Sequence, residues 1–416
     1  MPPKKWLRLL AMLSVFSLAA AACADDDTAA PDTTVDDEVS ADGLVIGAVL
    51  PETGPLAFLG PPQIEGVNLA IKDINEAGGV LGSDVTLLGG DEGADATAAL
   101  EAATRLVNEG AHAIIGAAAS GSSQEFIQLL SDEQIPQCSA SNTSPAFSDQ
   151  ENADFYFRTV PPDEAVAPII ADTVIGDGAG DSVVIVARAD DYGNALAELV
   201  KGSLSESGSQ VEVVNYDPEA GTFDAEVQSV LSASPTAVVL IAFDEGGQIV
   251  AGLLEGGITA DQIYGGDGVF SPTFVDQVDP SNPNVIDGMK VIGAAGGEDF
   301  NARIADAVEG NFIYGGQAYD CAIVIALAAE AAGSTDGQAI IDEIQDVTTD
   351  GTECDSFAGC KELLEAGEDI DYNGASGPLN LDDVGDPTFG RYAIGQFVDG
   401  TFEIIDSQDV DLSKVG

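Results

Sequence analysis

Short apolar runs alternate with helix-like patterns along most of the chain, and this alternation restricts the possible folds more than any other feature. Residues 44–50 (LVIGAVL) have the length and composition of a buried strand. Apolar side chains then recur every three or four positions from Ile64 to Ile74, as on one face of a helix, until glycines at 78 and 79 end the pattern. The unit repeats up to a short strand at residues 135–139 (IPQCS). Such alternation predicts an α/β fold in which helices cover both faces of a parallel sheet.

A second α/β series runs from residues 181–187 (DSVVIVA) to residues 262–266 (QIYGG). Beyond it we predict a strand, a long Ala-rich helix over residues 316–332, a further helix near residues 338–344 and a hairpin-like tail after residue 377. About 370 residues follow the N-terminal leader, which is more than one hydrophobic core normally holds. We therefore expect two doubly wound parallel-sheet lobes.

The N-terminus has the organisation of an export signal. Three basic residues among the first eight precede the uncharged residues 9–22, a stretch too short to span a membrane, so residues 1–22 are predicted to be a signal peptide. The small residues before Cys23 resemble the lipobox of bacterial lipoproteins, with Ala20 in place of the usual Leu, and imply lipidation of Cys23. The alternative is ordinary cleavage near Ala22 beside an incidental cysteine. Residues 23–43 are predicted to form an acidic, lipid-anchored tether.

The charge of the mature chain excludes several classes of partner. All 72 acidic residues but only ten of the 13 basic residues lie beyond Cys23, which gives a formal net charge of −62. Nucleic acid and anionic membrane surfaces would repel such a chain, so the membrane is reached through the N-terminal lipid only. Self-repulsion of this size also destabilises a compact state unless salt screens it, which indicates a saline external habitat.

The cysteines are consistent with an exported protein and do not form a metal motif. Cys354 and Cys360 bracket a short loop and are predicted to form a local disulfide in an oxidising compartment. For Cys138 and Cys321, a second bridge and two buried thiols remain alternatives. The single histidine, His112, lies where a strand begins, and no Cys/His spacing is that of a zinc site. We expect no metal and no cofactor.

Two uncharged loops are unusual in so acidic a chain. Residues 116–126 (GAAASGSSQEF) and 138–147 (CSASNTSPAF) each follow a predicted strand, and ligands of open parallel sheets bind beyond the carboxyl ends of strands. The first loop leads into a helix whose free N–H groups, beside Ser120, suit one small anion such as the carboxylate of an amino acid. Helix capping by serine and threonine is the ordinary alternative for both loops.

Three further loops that follow predicted strands are candidates for the same site. Residues 52–60 carry Phe58 and Leu59, residues 187–195 carry Tyr192, and residues 265–270 place Asp267 between glycines. Those glycines let the backbone approach closely and leave the carboxylate as the only side-chain function nearby. The ordinary alternatives are core packing for Phe58, an exposed turn for Tyr192 and a surface charge for Asp267.

In their order along the chain, these segments resemble the branched-chain-amino-acid-type substrate-binding proteins of bacterial ABC importers, the periplasmic binding protein type I family. The resemblance extends from about residue 44 to residue 403. It is carried by GAVLPETGPLAFLG, GVNLAIKDINEAGGVLG, IIGAAASGSS, ASNTSP, FRTVPPD, DDYG, GGDGV and SGPLNLDDVGDP. It implies a Venus-flytrap of two lobes, residues 44–159 plus 289–376 and residues 160–288 plus 377–416. The three crossovers are then expected near Thr159, Met289 and Ser376.

The resemblance also implies how a ligand is held. Ser120 and Thr143 fall on the family positions that bind the carboxylate of an amino acid. Its ammonium would be met by the main-chain carbonyl of Ser141, by Thr143 and by Asp267, and Tyr192 is the tyrosine of the second lobe. The family usually has Glu where Asp267 stands, so the carboxylate here is one methylene shorter.

The pocket for the ligand side chain is predicted to be apolar. Its expected members are Phe58, Leu59, Phe243 and Phe270, and Tyr314 falls opposite an apolar side-chain contact in the family. Phe58 and Leu59 replace a tyrosine that is common in the first loop of relatives. Such a pocket favours an aliphatic or aromatic ligand, whereas Arg188 offers an alternative partner for an acidic or amide side chain.

The resemblance implies a receptor rather than an enzyme. We expect an exported, lipid-anchored monomer that closes on a small amino acid and delivers it to ABC permease subunits. A ligand-sensing module is the first alternative, and a receptor for a short amide, urea or an aromatic acid is another. A secreted hydrolase is disfavoured because the chain has no G-x-S-x-G motif and only one histidine to partner a nucleophile.

Overall fold

The computed structural model describes residues 43–93, 95–149, 153–308 and 310–414, which all belong to one compact unit. The predicted signal peptide, Cys23 and the tether up to residue 42 lie outside the described residues. The strands are β1 (Val45–Leu50), β2 (Thr86–Asp91), β3 (Ala113–Gly116), β4 (Gln137–Ser139), β5 (Tyr156–Arg158), β6 (Ser182–Arg188), β7 (Gln210–Tyr216), β8 (Ala237–Ile241), β9 (Ile263–Gly265), β10 (Lys290–Ala294), β11 (Thr352–Cys354), β12 (Ile370–Gly374), β13 (Gly377–Pro378), β14 (Phe389–Val398) and β15 (Thr401–Asp411). The helices are α1 (Gly60–Glu76), α2 (Ala96–Asn108), α3 (Ser120–Asp132), α4 (Asp163–Gly176), α5 (Asp191–Glu206), α6 (Asp224–Ala233), α7 (Gly246–Glu255), α8 (Phe274–Val278), α9 (Glu298–Ile304), α10 (Gly315–Ala332), α11 (Gly337–Glu343) and α12 (Phe357–Glu365).

Two large sheets define two lobes, as the alternating pattern predicts. The sheet of the first lobe has five strands in the order β2-β1-β3-β4-β5, and all of its strand pairs are parallel. The sheet of the second lobe has seven strands in the order β15-β14-β10-β9-β8-β6-β7, and only the terminal hairpin β14–β15 runs antiparallel to its neighbours. The predicted α/β fold of two doubly wound lobes is confirmed.

Strand alternation explains why the first sheet is covered on both faces. Ile46 and Leu50 of β1 belong to the core cluster that contains α1 and α10. Val49, between them, belongs to another cluster with Leu106 of α2 and Phe126 of α3. Successive residues of a strand point to opposite faces, so one apolar run packs against helices on both sides.

Two of the three predicted crossovers differ in position from those in the structure. The predicted boundary at Met289 is wrong, because β10 pairs with β9 and β14 inside the second sheet, so the chain returns to the first lobe only after Ala294. The boundary at Ser376 is also wrong. Leu379 and Leu381 pack in the core of the first lobe, and the second sheet resumes only at β14. Thr159, the remaining predicted crossover, directly follows β5.

A buried ion pair joins the first and third crossovers. Arg158, at the end of β5, donates from Nε to Asp386 Oδ1 at 2.5 Å and from Nη2 to Oδ2 at 2.9 Å. Its Nη1 donates to the carbonyls of Asn142 and Ser144. The guanidinium is fully buried, and a buried charge is tolerated only when its hydrogen bonds are satisfied in this way.

The structure contains two disulfides. Cys138 of β4 is bonded to Cys321 of α10, so the alternative of two free thiols does not hold. Cys354 of β11 is bonded to Cys360 of α12, the pairing that the short loop favours. Within the described ranges, no single helix has both the length and the hydropathy of a membrane span, and only the pair α10 and α11, bent by 103°, meets those criteria together.

Candidate functional site

A small cleft lies between the lobes, where several strands of both sheets end. Its cavity volume is about 20 Å³, roughly the space that one water molecule needs. Its walls are formed by Leu56, Leu59, Ala118, Ala119, Ser120, Ser141, Tyr192, Phe243, Asp267, Gly268 and Tyr314. Most of these residues belong to loops that directly follow β1, β3, β4, β6, β8 and β9. The cleft therefore occupies the position at which open parallel sheets bind ligands.

The serine loop after β3 is held from behind by an acid that the sequence analysis did not select. Glu92 accepts hydrogen bonds from the backbone N–H groups of Ala118 at 2.8 Å and Ala119 at 3.0 Å. Those two N–H groups are therefore occupied, and the donors near a ligand begin at Ser120, the first residue of α3. Burial raises the pKa of the Glu92 carboxyl to about 7, although the hydrogen bonds from the loop oppose this shift.

The loop after β4 presents Ser141 and Thr143. The Ser141 hydroxyl donates to the carbonyl of Ala118 at 3.1 Å, and the Asn142 side chain donates to the same carbonyl at 2.9 Å, so the two uncharged loops are tied together. The Thr143 hydroxyl is buried and makes no hydrogen bond within the described part of the protein. A buried hydroxyl without a partner is costly, so Thr143 is suited to meet a polar group of a ligand.

A second acid lies beside Thr143, and the sequence analysis did not select it either. Asp163 is the first residue of α4, is fully buried, and neither of its carboxylate oxygens has a hydrogen-bond partner among the described residues. Burial raises the pKa of its carboxyl well above the ordinary value, and the charge of nearby Asp267 raises it further. The Thr143 hydroxyl lies close enough to oppose this shift, although its geometry is not that of a hydrogen bond. Unsatisfied buried oxygens of this kind are free to accept from a cation.

Asp267 is buried at the opposite wall and accepts hydrogen bonds from two tyrosine hydroxyls. Tyr192 donates to Oδ1 at 2.5 Å, and Tyr314 donates to Oδ2. Burial raises the pKa of the Asp267 carboxyl, and the hydrogen bonds from the tyrosines oppose the shift. The structure thus differs from the prediction for Tyr314, because its hydroxyl contacts an acid although its ring was expected to make an apolar contact. Tyr314 directly precedes α10 and has a left-handed backbone (φ 60°), which aims its side chain across the cleft.

The predicted apolar pocket is present only in part. Leu59 and Phe243 line the cleft, and Leu56 takes the place expected for Phe58. Phe58 is half-buried, and its carbonyl accepts from the Asn311 side chain at 2.8 Å. Phe270 points elsewhere, since its ring packs edge-on against Phe402 and lines a different, larger cavity.

The side chain of Arg188 is already paired with acidic side chains of its own lobe. It forms ion pairs with Asp190 and with Glu245, the latter at 2.8 Å, and its guanidinium lies 3.4 Å from the centre of the Phe243 ring. Phe243 therefore lies beside Arg188 at the cleft wall. The geometry does not favour the alternative in which Arg188 pairs with an acidic side chain of the ligand.

The site combines hydroxyl donors with carboxylate acceptors. Ser120 and Asp267 line the cleft, whereas Thr143 and Asp163 are buried and are not among the residues that line it. Within the described ranges, no group of three or more His, Cys, Asp or Glu side chains is arranged to hold a metal ion. His112, the only histidine, accepts a hydrogen bond from the Val45 N–H at the edge of β1, away from the cleft lining.

The chain is similar to known proteins along most of its length. A model of the periplasmic binding protein family matches residues 43–367. The chemotactic signal transduction system substrate-binding protein BasB of Halobacterium salinarum is 27% identical over 86% of this chain and 88% of its own length.

Two solved structures have the same fold. The leucine binding protein LivK of Thermotoga maritima superposes with a TM-score of 0.73 at 23% identity and covers 89% of this chain and 99% of its own. The branched-chain amino acid transporter substrate-binding protein LivJ of Streptococcus pneumoniae, in complex with isoleucine, superposes with a TM-score of 0.71 at 21% identity, over 89% of this chain and 100% of its own. The chain belongs to the periplasmic binding protein family of exported solute receptors, which are binding proteins and not enzymes.

Proposed function

We propose that this protein captures a neutral, apolar amino acid between its two lobes and delivers it to the permease of an ABC transporter. The observation that carries the proposal is that the donor Ser120 and the acid Asp267 line one cleft. The unpartnered Thr143 hydroxyl and the carboxylate of Asp163 are buried nearby. A ligand with one carboxylate and one ammonium group satisfies both walls at once.

The two charged ends of the ligand are assigned to different groups of the site. The carboxylate takes hydrogen bonds from Ser120, Thr143 and the first free N–H groups of α3, where the helix dipole favours an anion. The ammonium is met by Asp267, by Asp163 and by the carbonyl of Ser141. Each charge must be matched, because an unpaired ion in a buried site costs several kcal/mol, on the order of its desolvation penalty.

The side chain of the ligand is assigned to the apolar part of the wall. Leu56, Leu59 and Phe243 are buried there, and the cleft is small. Arg188 is already paired with Asp190 and Glu245, which disfavours an acidic ligand side chain. The names of the similar structures support the same choice, since one is a leucine binding protein and the other contains isoleucine.

The place of action follows from the N-terminus and the family. We propose that Cys23 carries a lipid that holds the receptor at the outer face of the membrane, and that residues 24–43 let it reach the permease. The excess of acidic residues in the mature chain is proposed to be an adaptation to a saline exterior.

A second candidate function is chemotactic sensing. It is favoured by the similar protein of Halobacterium salinarum, whose name assigns it to a chemotactic signal transduction system. Loss of labelled L-leucine uptake in a strain lacking this chain supports transport. A loss of swimming toward L-leucine with normal uptake supports sensing.

Isothermal titration calorimetry of the purified protein in high salt tests the ligand class. L-leucine, L-isoleucine and L-valine are expected to bind, L-glutamate is expected to bind at least about a hundredfold more weakly, and leucinamide should fail because it lacks the carboxylate. Binding of leucinamide as tightly as leucine contradicts the carboxylate assignment. Binding of an acidic amino acid or of benzoate, with none of the neutral amino acids, contradicts the proposal as a whole.

A further inference from the structure

We propose that Arg188 is a positioning residue for the ligand site, which acts by stacking on Phe243 and, through that ring, on Tyr192. This inference rests on the function proposed above. It assigns a role in ligand affinity to a residue that does not itself line the cleft. The role depends on a continuous column of side chains that ends at Asp267.

The column has four members in contact order. The Arg188 guanidinium carbon lies 3.4 Å from the centre of the Phe243 ring. The Phe243 ring stacks on the Tyr192 ring, with 5.5 Å between centroids and 16° between planes. The Tyr192 hydroxyl donates to Asp267 at 2.5 Å. Cation–π and stacked aromatic contacts of this kind are directional, so the position of each member depends on the one before it.

The outer end of the column is fixed by charge. Arg188 donates to Asp190 and to Glu245, and Glu245 also accepts from the Tyr216 hydroxyl at 2.8 Å. The backbone N–H of Phe243 donates to the same Glu245 carboxylate at 3.3 Å. Glu245 therefore binds both the Arg188 guanidinium and the backbone of Phe243. These two contacts hold the guanidinium over the Phe243 ring.

The inner end of the column is the ligand site itself. Phe243 and Tyr192 both line the cleft. The Tyr192 hydroxyl also accepts from the backbone N–H of Gly268 at 3.3 Å, so it links Asp267 to the next peptide group. A Cβ at position 268 would lie 2.4 Å from the Ala242 carbonyl and 2.9 Å from the Phe243 ring, which shows how closely this wall is packed. A shift of the Phe243 ring therefore moves the Tyr192 hydroxyl relative to Asp267.

The chain offers a matched control for a stacked, ion-paired arginine. Arg303 pairs with Asp73 at 2.7 Å and lies 5.7 Å from the centre of the Tyr319 ring, but neither side chain lines the cleft. Its side chain is 44% exposed, compared with 10% for Arg188. Loss of Arg303 therefore removes the same two kinds of interaction at a place that cannot position the ligand.

The test compares Arg188→Met, Phe243→Leu, the double variant and Arg303→Met by calorimetric titration with L-leucine, each with its melting temperature. Arg188→Met is expected to weaken binding about fivefold or more, because the ring loses its cation and the hydroxyl loses its position. The affinity of the double variant should lie within about twofold of that of the weaker-binding single variant, since both changes interrupt one column. Arg303→Met should leave the affinity unchanged.

Wild-type affinity in Arg188→Met, or losses that multiply in the double variant, overturn the inference. If Arg188→Met does not fold, Arg188→Lys replaces it, because lysine keeps the charge but not the planar stack. A loss of about threefold or more supports the inference, and an unchanged affinity overturns it.

Failure of the wild-type protein to bind L-leucine is a failure of the proposed ligand, not of the column. In that case the near-ultraviolet circular dichroism of the tyrosines is the readout. Arg188→Met and Phe243→Leu should change that spectrum alike, and a change in neither overturns the inference.

Discussion

Asp267, which lines the cleft, and its neighbour Asp163 are both buried. The carboxylate of Asp267 accepts hydrogen bonds from two tyrosine hydroxyls, while the carboxylate of Asp163 has no hydrogen-bond partner within the described part of the chain. The charge of Asp267 raises the pKa of the Asp163 carboxyl. An ammonium placed beside them relieves this repulsion, which makes both residues part of the affinity for a zwitterion.

Replacement of Asp267 by Asn is expected to reduce the affinity for L-leucine by about tenfold or more, because the ammonium loses a charged partner. Asp163→Asn should have an effect in the same direction. Asp320→Asn is the matched control, since Asp320 is equally buried but bonds Tyr372 and Ser376 in the first lobe. Calorimetric titration that shows equal losses in all three variants would contradict a specific role for the two acids at the cleft.

Glu92 should make stability depend on pH. Its pKa is raised from 4.5 to about 7, so the folded protein retains a proton that the unfolded chain releases. The stability from this group is complete below pH 4.5 and is lost as pH rises to about 7, by roughly 3 kcal/mol in total. Glu92→Gln should flatten the corresponding fall in melting temperature between about pH 5.5 and pH 7.

The comparison is made above pH 5.5 because the net charge and the solubility of the protein both fall as the pH approaches its isoelectric point, near 4.1. Other buried acids titrate in the same range, so the difference between variant and wild type is the informative quantity. Identical pH profiles for the two proteins would show that Glu92 does not hold the extra proton.

At the level of residues, the sequence indicated part of the cleft and missed two acids. Ser120, Ser141, Tyr192 and Asp267 come together as their positions after strands predict. Glu92 and Asp163 could not be selected, because one acid among 72 carries no local signal of burial. Both are buried by parts of the chain distant in sequence, and only the tertiary structure reveals this.

The two disulfides allow a prediction about elements. Cys138–Cys321 links a strand and a helix 183 residues apart, whereas Cys354–Cys360 closes a loop of six. Loop-closure entropy predicts losses of about 5 and about 2 kcal/mol when each bond is removed. Cys138→Ala with Cys321→Ala should therefore lower the denaturation midpoint clearly more than Cys354→Ala with Cys360→Ala.

Chemical denaturation at one salt concentration gives this comparison directly. An equal or reversed order would show that the long-range bond does not act by restraining the unfolded chain. The pair at 354 and 360 serves as the control, because its double variant also loses one disulfide and gains two alanines.

Periodicity identified most elements but not the sheet to which each belongs. The helix predicted over residues 316–332 is α10 (Gly315–Ala332), and the apolar run of β8 is buried along its whole length. The prediction placed strand β10 in the wrong lobe, because the residues of a strand do not determine which strands lie beside it. Its pairing with β9 and β14 is a property of the assembled sheet.

For the molecule as a whole, the net charge predicts a strong dependence of stability on salt. Ten basic residues cannot neutralise 72 acids, and the ion pairs of the described chain involve only some of these acids. Raising potassium chloride from about 0.05 to about 1 M shortens the Debye length from roughly 14 Å to about 3 Å. The melting temperature should rise by several degrees, mostly at the lower end of this range.

Sucrose of matched osmolality is the control, because it stabilises proteins by exclusion without screening charge. A melting temperature that is the same at both salt concentrations, or that rises as much in sucrose, would contradict self-repulsion as the cause. The same series bears on the proposed saline habitat, since a protein with this charge should be marginal in fresh water.

The three crossovers distribute each lobe over distant parts of the chain. The first lobe needs α10 for its core, and the second sheet gains its last two strands only from residues 389–411. Contacts between such distant segments form slowly, because much of the chain must be available before they can be made. Neither lobe can complete its core until its late segments have been synthesised. The polypeptide therefore stays unfolded for longer, which favours export through a membrane.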